Sequence, residues 1–173
     1  MKVLITYFSM SGNTEQIAKA MFDEASKSHE ATICKLDEIN SNSFKDSDLV
    51  FIGSPIHAGG LAGPIKELLE LLDDSALYKV AGFVTHSASA YEKVSFEKGI
   101  ASIKEICESK KIAYIESFDC QGRLAPELHD MVQKKRNLSD TEWAERMAKS
   151  DPHPNSEDEA DAKAFVKRVM ELV

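Results

Sequence analysis

Cysteine is scarce in this sequence. Cys34, Cys107 and Cys120 are the three present among 173 residues, and no two stand in a CxxC or other metal-ligand spacing. An odd number so widely spread argues against a disulfide framework and for a reducing compartment. Long apolar runs are missing as well. The run from Val3 to Phe8 turns polar at Ser9, too early for a secretory h-region and with no cleavage pattern. Nothing approaches the ~18 apolar residues that a membrane-crossing helix requires. Positive charge is in deficit: 21 Lys and Arg stand against 29 Asp and Glu, a formal net charge of −8. A nucleic-acid binder needs a basic face, and an anionic membrane selects a basic amphipathic segment, so neither partner is expected. Hydrolytic signatures are absent too: there is no Gly-x-Ser-x-Gly elbow and no His-Glu-x-x-His. What is left is a soluble, cytoplasmic protein meeting small ligands or basic protein surfaces.

With 43% apolar residues the chain can bury a core, and its length suits one domain over residues 1–173. Five short runs have strand character: Val3 to Phe8, Ala31 to Leu36, Leu49 to Ile52, Val80 to Thr85 and Ile112 to Phe118. Four are β-branched and aromatic runs without strict alternation, as strands buried on both faces are, whereas Ala31 to Leu36 alternates like an edge strand. Helical spacing separates them. Thr14 to Ala25 sets Ile17, Ala18, Met21 and Ala25 on one face, and Pro64 to Leu72 does so with Ile65, Leu68, Leu69 and Leu72. Ile100, Ile103 and Cys107 line a third helix. Phe165, Val169 and Leu172 line a terminal one, for which Ser156 and Glu159 form a capping box. The alternation predicts a doubly wound α/β fold with a five-stranded parallel sheet of order 2-1-3-4-5. Residues 119–155 fit this pattern less well; helical period is present from Pro126 to Gln133 and from Ser139 to Lys149.

The chemistry concentrates where the first strand meets the first helix. Ser9-Met10-Ser11-Gly12-Asn13-Thr14 offers three hydroxyls, an amide and helix-terminal N–H groups, with no Lys or Arg. Such a loop can wrap a dianionic phosphate with neutral donors and the positive end of the helix dipole. It is neither a Walker loop nor a GxGxxG loop. Ser, Gly, Asn and Thr are also ordinary turn residues, so the loop alone decides little. A second loop, Gly53-Ser54-Pro55-Ile56-His57-Ala58-Gly59-Gly60, follows the third strand. In the expected sheet order both loops flank the switch-point crevice, where ligands bind in open α/β sheets.

The stretch Tyr7 to Glu15, with its hydroxyl-x-hydroxyl-Gly-x-Thr pattern, resembles the phosphate-binding signature of the flavodoxin family. The resemblance implies bound FMN, its phosphate held by Ser9, Met10, Ser11, Gly12, Asn13 and Thr14. It implies a flavin ring lying between the loop Ser54, Pro55, Ile56, His57, Ala58, Gly59 and Gly60 and the loop His86, Ser87, Ala88, Ser89 and Tyr91. The ring loops depart from the family: the first offers no tryptophan or tyrosine, and the second one aromatic, Tyr91. The implied function is electron transfer between protein partners, a flavoprotein reductase or an iron–sulfur protein, with no catalytic acid or base from the chain. The alternatives are an FMN-dependent NAD(P)H:quinone-type oxidoreductase and a flavin-free binding module. Position alone leaves His57 and His86 open between ring contacts and exposed loop residues. Cys120, at the expected end of the fifth strand, reads as a buried structural thiol.

Overall fold

The computed structural model describes residues 1–39, 41–87 and 94–173. Parallel strands β1 (Lys2–Tyr7), β2 (Glu30–Lys35), β3 (Leu49–His57), β5 (Lys79–His86) and β6 (Ala113–Gln121) form a sheet of order β2-β1-β3-β5-β6. This is the expected 2-1-3-4-5 winding, with one addition. The two-residue strand β4 (Gly60–Leu61) folds back antiparallel on β3, pairing Ile56 with Leu61 and His57 with Gly60. The third strand therefore runs through to His57, past the expected end at Ile52. Its hairpin loop is Ala58-Gly59, with φ of 50° and 83°. Positive φ at both central residues is what a two-residue I′ turn requires.

Strand periodicity divides the core. Val3, Ile5, Tyr7, Leu49 and Phe51 face helices α1 (Asn13–Ala25) and α7 (Ser156–Glu171), where Ile17, Met21, Phe165 and Val169 cover them. Leu4, Val50, Ile52, Val80 and Val84 face the other way, toward Ile65 and Leu69 of α3 (Gly63–Glu70) and Ile103 and Cys107 of α4 (Val94–Ser109). Helices on both faces leave the carboxyl edge of the sheet as the open crevice. Between β2 and β3 lie a 3-10 turn (Leu36–Glu38) and the short helix α2 (Ser41–Lys45), for which the sequence carried no periodic signal.

Residues 122–155 leave β6 at the carboxyl edge and return there at the start of α7. They hold a 3-10 turn (Pro126–Leu128), α5 (His129–Lys135) and α6 (Asp140–Ser150). Both expected helical stretches are thus present. Two details of the terminal helix are corrected. Its N-cap is Asn155, not Ser156, and the reciprocal carboxylate is Asp158, because Asn155 Oδ1 accepts from Glu157 N and Asp158 N while Asp158 Oδ2 accepts from Asn155 N. Leu172 is the C-cap and 59% exposed, so the buried stripe ends at Val169. None of the described helices is long and apolar enough to cross a membrane.

Candidate functional site

The loop after β1 ends in Gly12, the N-cap of α1, whose φ of 86° places it in the left-handed region. Gly12 brings no side-chain cap to this helix, and no hydrogen bond from its first N–H groups to a described side chain closes the end. Among the described residues, a Cβ placed on Gly12 would meet no atom within 4 Å, which leaves space in front of the helix end. Ser9 contributes a buried hydroxyl without a protein partner. Met10 and Ser11 are exposed, Met10 at 69%. Glu15, in the first turn, would repel an anion, but Lys19 at 2.7 Å and Lys35 at 3.6 Å offset its charge. The hydrogen bond from Lys19 is the main reason its pKa lies below the ordinary carboxylate range.

The other two loop residues face inward. Thr14, 1% exposed, shares a 2.8 Å hydroxyl–hydroxyl bond with Thr85 on β5. Its backbone N–H, not its side chain, is what remains for a ligand. Asn13, 7% exposed, donates through Nδ2 to Arg123 O at 2.7 Å and to Ser11 Oγ at 3.2 Å. Gly122 stands so near that a Cβ there would lie 2.7 Å from Asn13 Nδ2. The loop after β6 thus fixes the loop after β1, a tie that no local pattern in the sequence announces.

The ring loops are held differently. Ser54 is buried; its Oγ donates to Pro55 O at 2.8 Å and accepts from Ala62 N at 3.0 Å, which closes the β3–β4 hairpin. Pro55 and Ile56 are half-buried, Ala58 and His57 exposed, and Gly59 and Gly60 intermediate. His57 stands edge-on to Phe8 at 6.4 Å, and burial lowers its pKa from the ordinary 6.5. His86 is no exposed loop residue. It ends β5 at 8% exposure, lies flat on Phe96 at 3.9 Å, and approaches Asp119 Oδ2 at 3.2 Å. Ser87 follows it, and its carbonyl accepts from Arg146 Nη2 at 2.8 Å. The expected contacts Ala88, Ser89 and Tyr91 lie outside the described residues. All three cysteines are free. Burial, with Asp158 nearby, pushes the Cys120 thiol far above its usual range, as suits a structural residue rather than a nucleophile.

An open parallel sheet with an uncapped helix end and an orphaned hydroxyl at its switch point is the α/β arrangement in which a phosphate can be held. Similarity to known proteins says which kind. The Flavodoxin domain family matches residues 4–167. The flavodoxin-like domain-containing protein BilS of Clostridioides difficile (strain CD3) is 30% identical over 177 residues, covering 98% of this chain and 97% of that one. Among solved structures, oxidised Flavodoxin 2 from Bacillus cereus aligns with a TM-score of 0.70 at 21% identity, over 100% of both chains. The flavodoxin of Streptococcus pneumoniae TIGR4 aligns at 0.61 and 16% identity, over 86% of this chain and 98% of that one. The chain belongs to the flavodoxin family. That membership implies FMN as its cofactor and redox proteins as its partners. The free helix end at Gly12, the open space before it and the unpartnered Ser9 hydroxyl suit the FMN phosphate.

Proposed function

We propose that this protein is an FMN-carrying electron-transfer protein that shuttles electrons between redox partners. The observation that carries the reading is the phosphate seat: neutral donors of Ser9 to Thr14 around the uncapped start of α1, with Glu15 offset by two lysines. When bound, FMN supplies the one- and two-electron chemistry. The chain's own residues bind and orient it. Ser9, Ser11 and the N–H groups of Gly12, Asn13 and Thr14 hold the phosphate. Ile56, His57 and the Ala58–Gly59 turn border one side of the ring, and His86 and Ser87 at the end of β5 border the other.

The acidic balance of the chain, −8, supports docking to a basic face of a flavoprotein reductase or iron–sulfur protein. Such encounters are steered over a Debye length of about 8 Å at physiological salt. The test is an absorbance spectrum after gentle purification, followed by anaerobic reduction by a redox protein at rising ionic strength. A flavin spectrum and a rate that falls with salt are expected. A colourless protein that takes up no FMN would leave a flavin-free binding module. Fast turnover of NAD(P)H with a quinone by the isolated protein would make it an oxidoreductase of the quinone-reductase type.

A further inference from the structure

Residues 122–155 are the part of the chain that the flavodoxin reading leaves without a task, yet they touch the site at three places. At their entry, Gly122 N donates to His86 O at 2.8 Å and Arg123 O accepts from Asn13. At their exit, Pro154 O accepts from Gln16 Nε2 at 3.2 Å, one turn into α1. Between these anchors, α6 sends Arg146 back across 59 positions to the carbonyl of Ser87.

That contact is built rather than incidental. Trp143, Arg146, Met147 and Ser150 share one face of α6 by their spacing, and Met147 and Ser150 are buried on it. Trp143 stands edge-on to His129 of α5 at 5.5 Å, which braces the helix pair. Arg146 is itself partly covered, and burial lowers its pKa. A guanidinium drawn out of water needs strong acceptors, and a charge-assisted bond to a carbonyl is roughly twice as strong as a neutral one.

We propose that Arg146 is a positioning residue for the flavin ring: it fixes the Ser87 carbonyl at the carboxyl end of β5, where the ring is expected to lie. This rests on the FMN reading above. The guanidinium meets the ring loop, whereas the phosphate loop is tied to the same segment through a different residue, Arg123. The ring is common to FMN and riboflavin; the phosphate is not. Losing Arg146 should therefore weaken both flavins by one factor.

The experiment titrates the apoprotein with FMN and with riboflavin, following flavin fluorescence, for wild type, Arg146→Gln and Arg146→Lys. Arg146→Gln is expected to weaken both flavins about tenfold, equivalent to about 1.4 kcal/mol. The ratio of the two affinities should stay at its wild-type value, and the visible flavin band should shift. Arg146→Lys keeps the charge but loses the planar fork, and should recover part of the affinity. If Arg146→Gln does not fold, a loss shared equally by both flavins in Arg146→Lys supports the proposal in its place. Unchanged affinities in the folded variants overturn the proposal, and so does a loss confined to FMN, which would place the guanidinium on the phosphate. Failure of the wild-type protein to take up FMN would instead overturn the cofactor reading beneath it.

Discussion

At one end of the site, consecutive residues Ser9 to Thr14 present their donors from a single loop and the helix it opens. At the other end, the ring loops owe their shape to partners brought from elsewhere: Ala62 for Ser54, Asp119 and Phe96 for His86, Arg146 for Ser87. The phosphate end can be neutral because a helix terminus already carries roughly half a positive charge. The ring end adds to its local hairpin turn at Ala58-Gly59 contacts from β6 and α6. The two ends thus differ in where their donors come from, consecutive residues at one and separate elements at the other, although Asn13 and Thr14 are themselves tied to Arg123 and Thr85.

The largest expected effect comes from breaking what both ends share. Gly53 lies in β3 beneath them, its carbonyl accepting from Phe8 N at 3.1 Å, and a Cβ there would come within 2.1 Å of the Phe83 ring. Gly53 and Phe83 are both buried, so Gly53→Ala overpacks the core and should cost about 3 kcal/mol. Thermal unfolding should fall by about 6–12 °C, and the two flavins should weaken together. Loss of FMN affinity alone would show that the ends do not share this support.

A smaller effect separates framework from ligand contact within the phosphate loop. Thr14→Val orphans the buried Thr85 hydroxyl and should destabilise the apoprotein by about 2 kcal/mol. The double variant Thr14→Val/Thr85→Val should recover most of that loss, since removing both partners is nearly neutral. The preference for FMN over riboflavin should survive in either variant. Its collapse would mean that the Thr14 hydroxyl serves the phosphate after all.

Smaller again is the hairpin at the ring end. Gly59 has a φ of 83°, so Gly59→Ala should cost about 1 kcal/mol through left-handed strain. Gly60 has ordinary φ, and among the described residues an added methyl would meet nothing nearer than Lys66 Nζ at 3.6 Å, so Gly60→Ala should stay within about 0.5 kcal/mol. Equal losses in chemical denaturation would contradict the turn geometry.

The smallest effect is a pH dependence at the same end. Partial desolvation lowers the His57 pKa from 6.5, so the folded state favours the neutral ring. Between the lowered pKa and 6.5 the unfolded chain binds more protons, and stability rises with pH. The contribution of His57 is thus fully present above 6.5 and fades as pH falls toward the folded value. His57 is solvent-exposed, so the slope is shallow; His57→Gln should flatten it in unfolding curves taken from about pH 5 to 8. An unchanged slope would show that the ring titrates as it does in water.

What could be read from residues alone follows the same division. Short apolar runs, one alternating stretch and period-3.6 patterns placed the five parallel strands and the helices between them, because these signals are local and driven by burial. The phosphate-loop expectation also came from consecutive residues, Ser9 to Thr14, through their resemblance to the flavodoxin signature. The β4 return was not, since its turn begins with Ala58, a residue that rarely adopts positive φ. Nor could any pattern have shown that Asn13 would bind a carbonyl 110 positions away or that Arg146 would reach Ser87. Ser156 looked like the cap of α7 because it has the right chemistry; Asn155, one residue earlier, has it too and wins by position. His86 read as an even choice, and its stacking on Phe96 and approach to Asp119 are tertiary facts.

The phosphate seat is tested most directly by titrating the apoprotein with FMN and riboflavin side by side. One-to-one uptake of FMN is expected, at least about a hundredfold tighter than riboflavin, a difference of roughly 2.7 kcal/mol. Equal affinity for the two flavins, or no uptake of either, would contradict the assignment of Ser9 to Thr14 as the phosphate site.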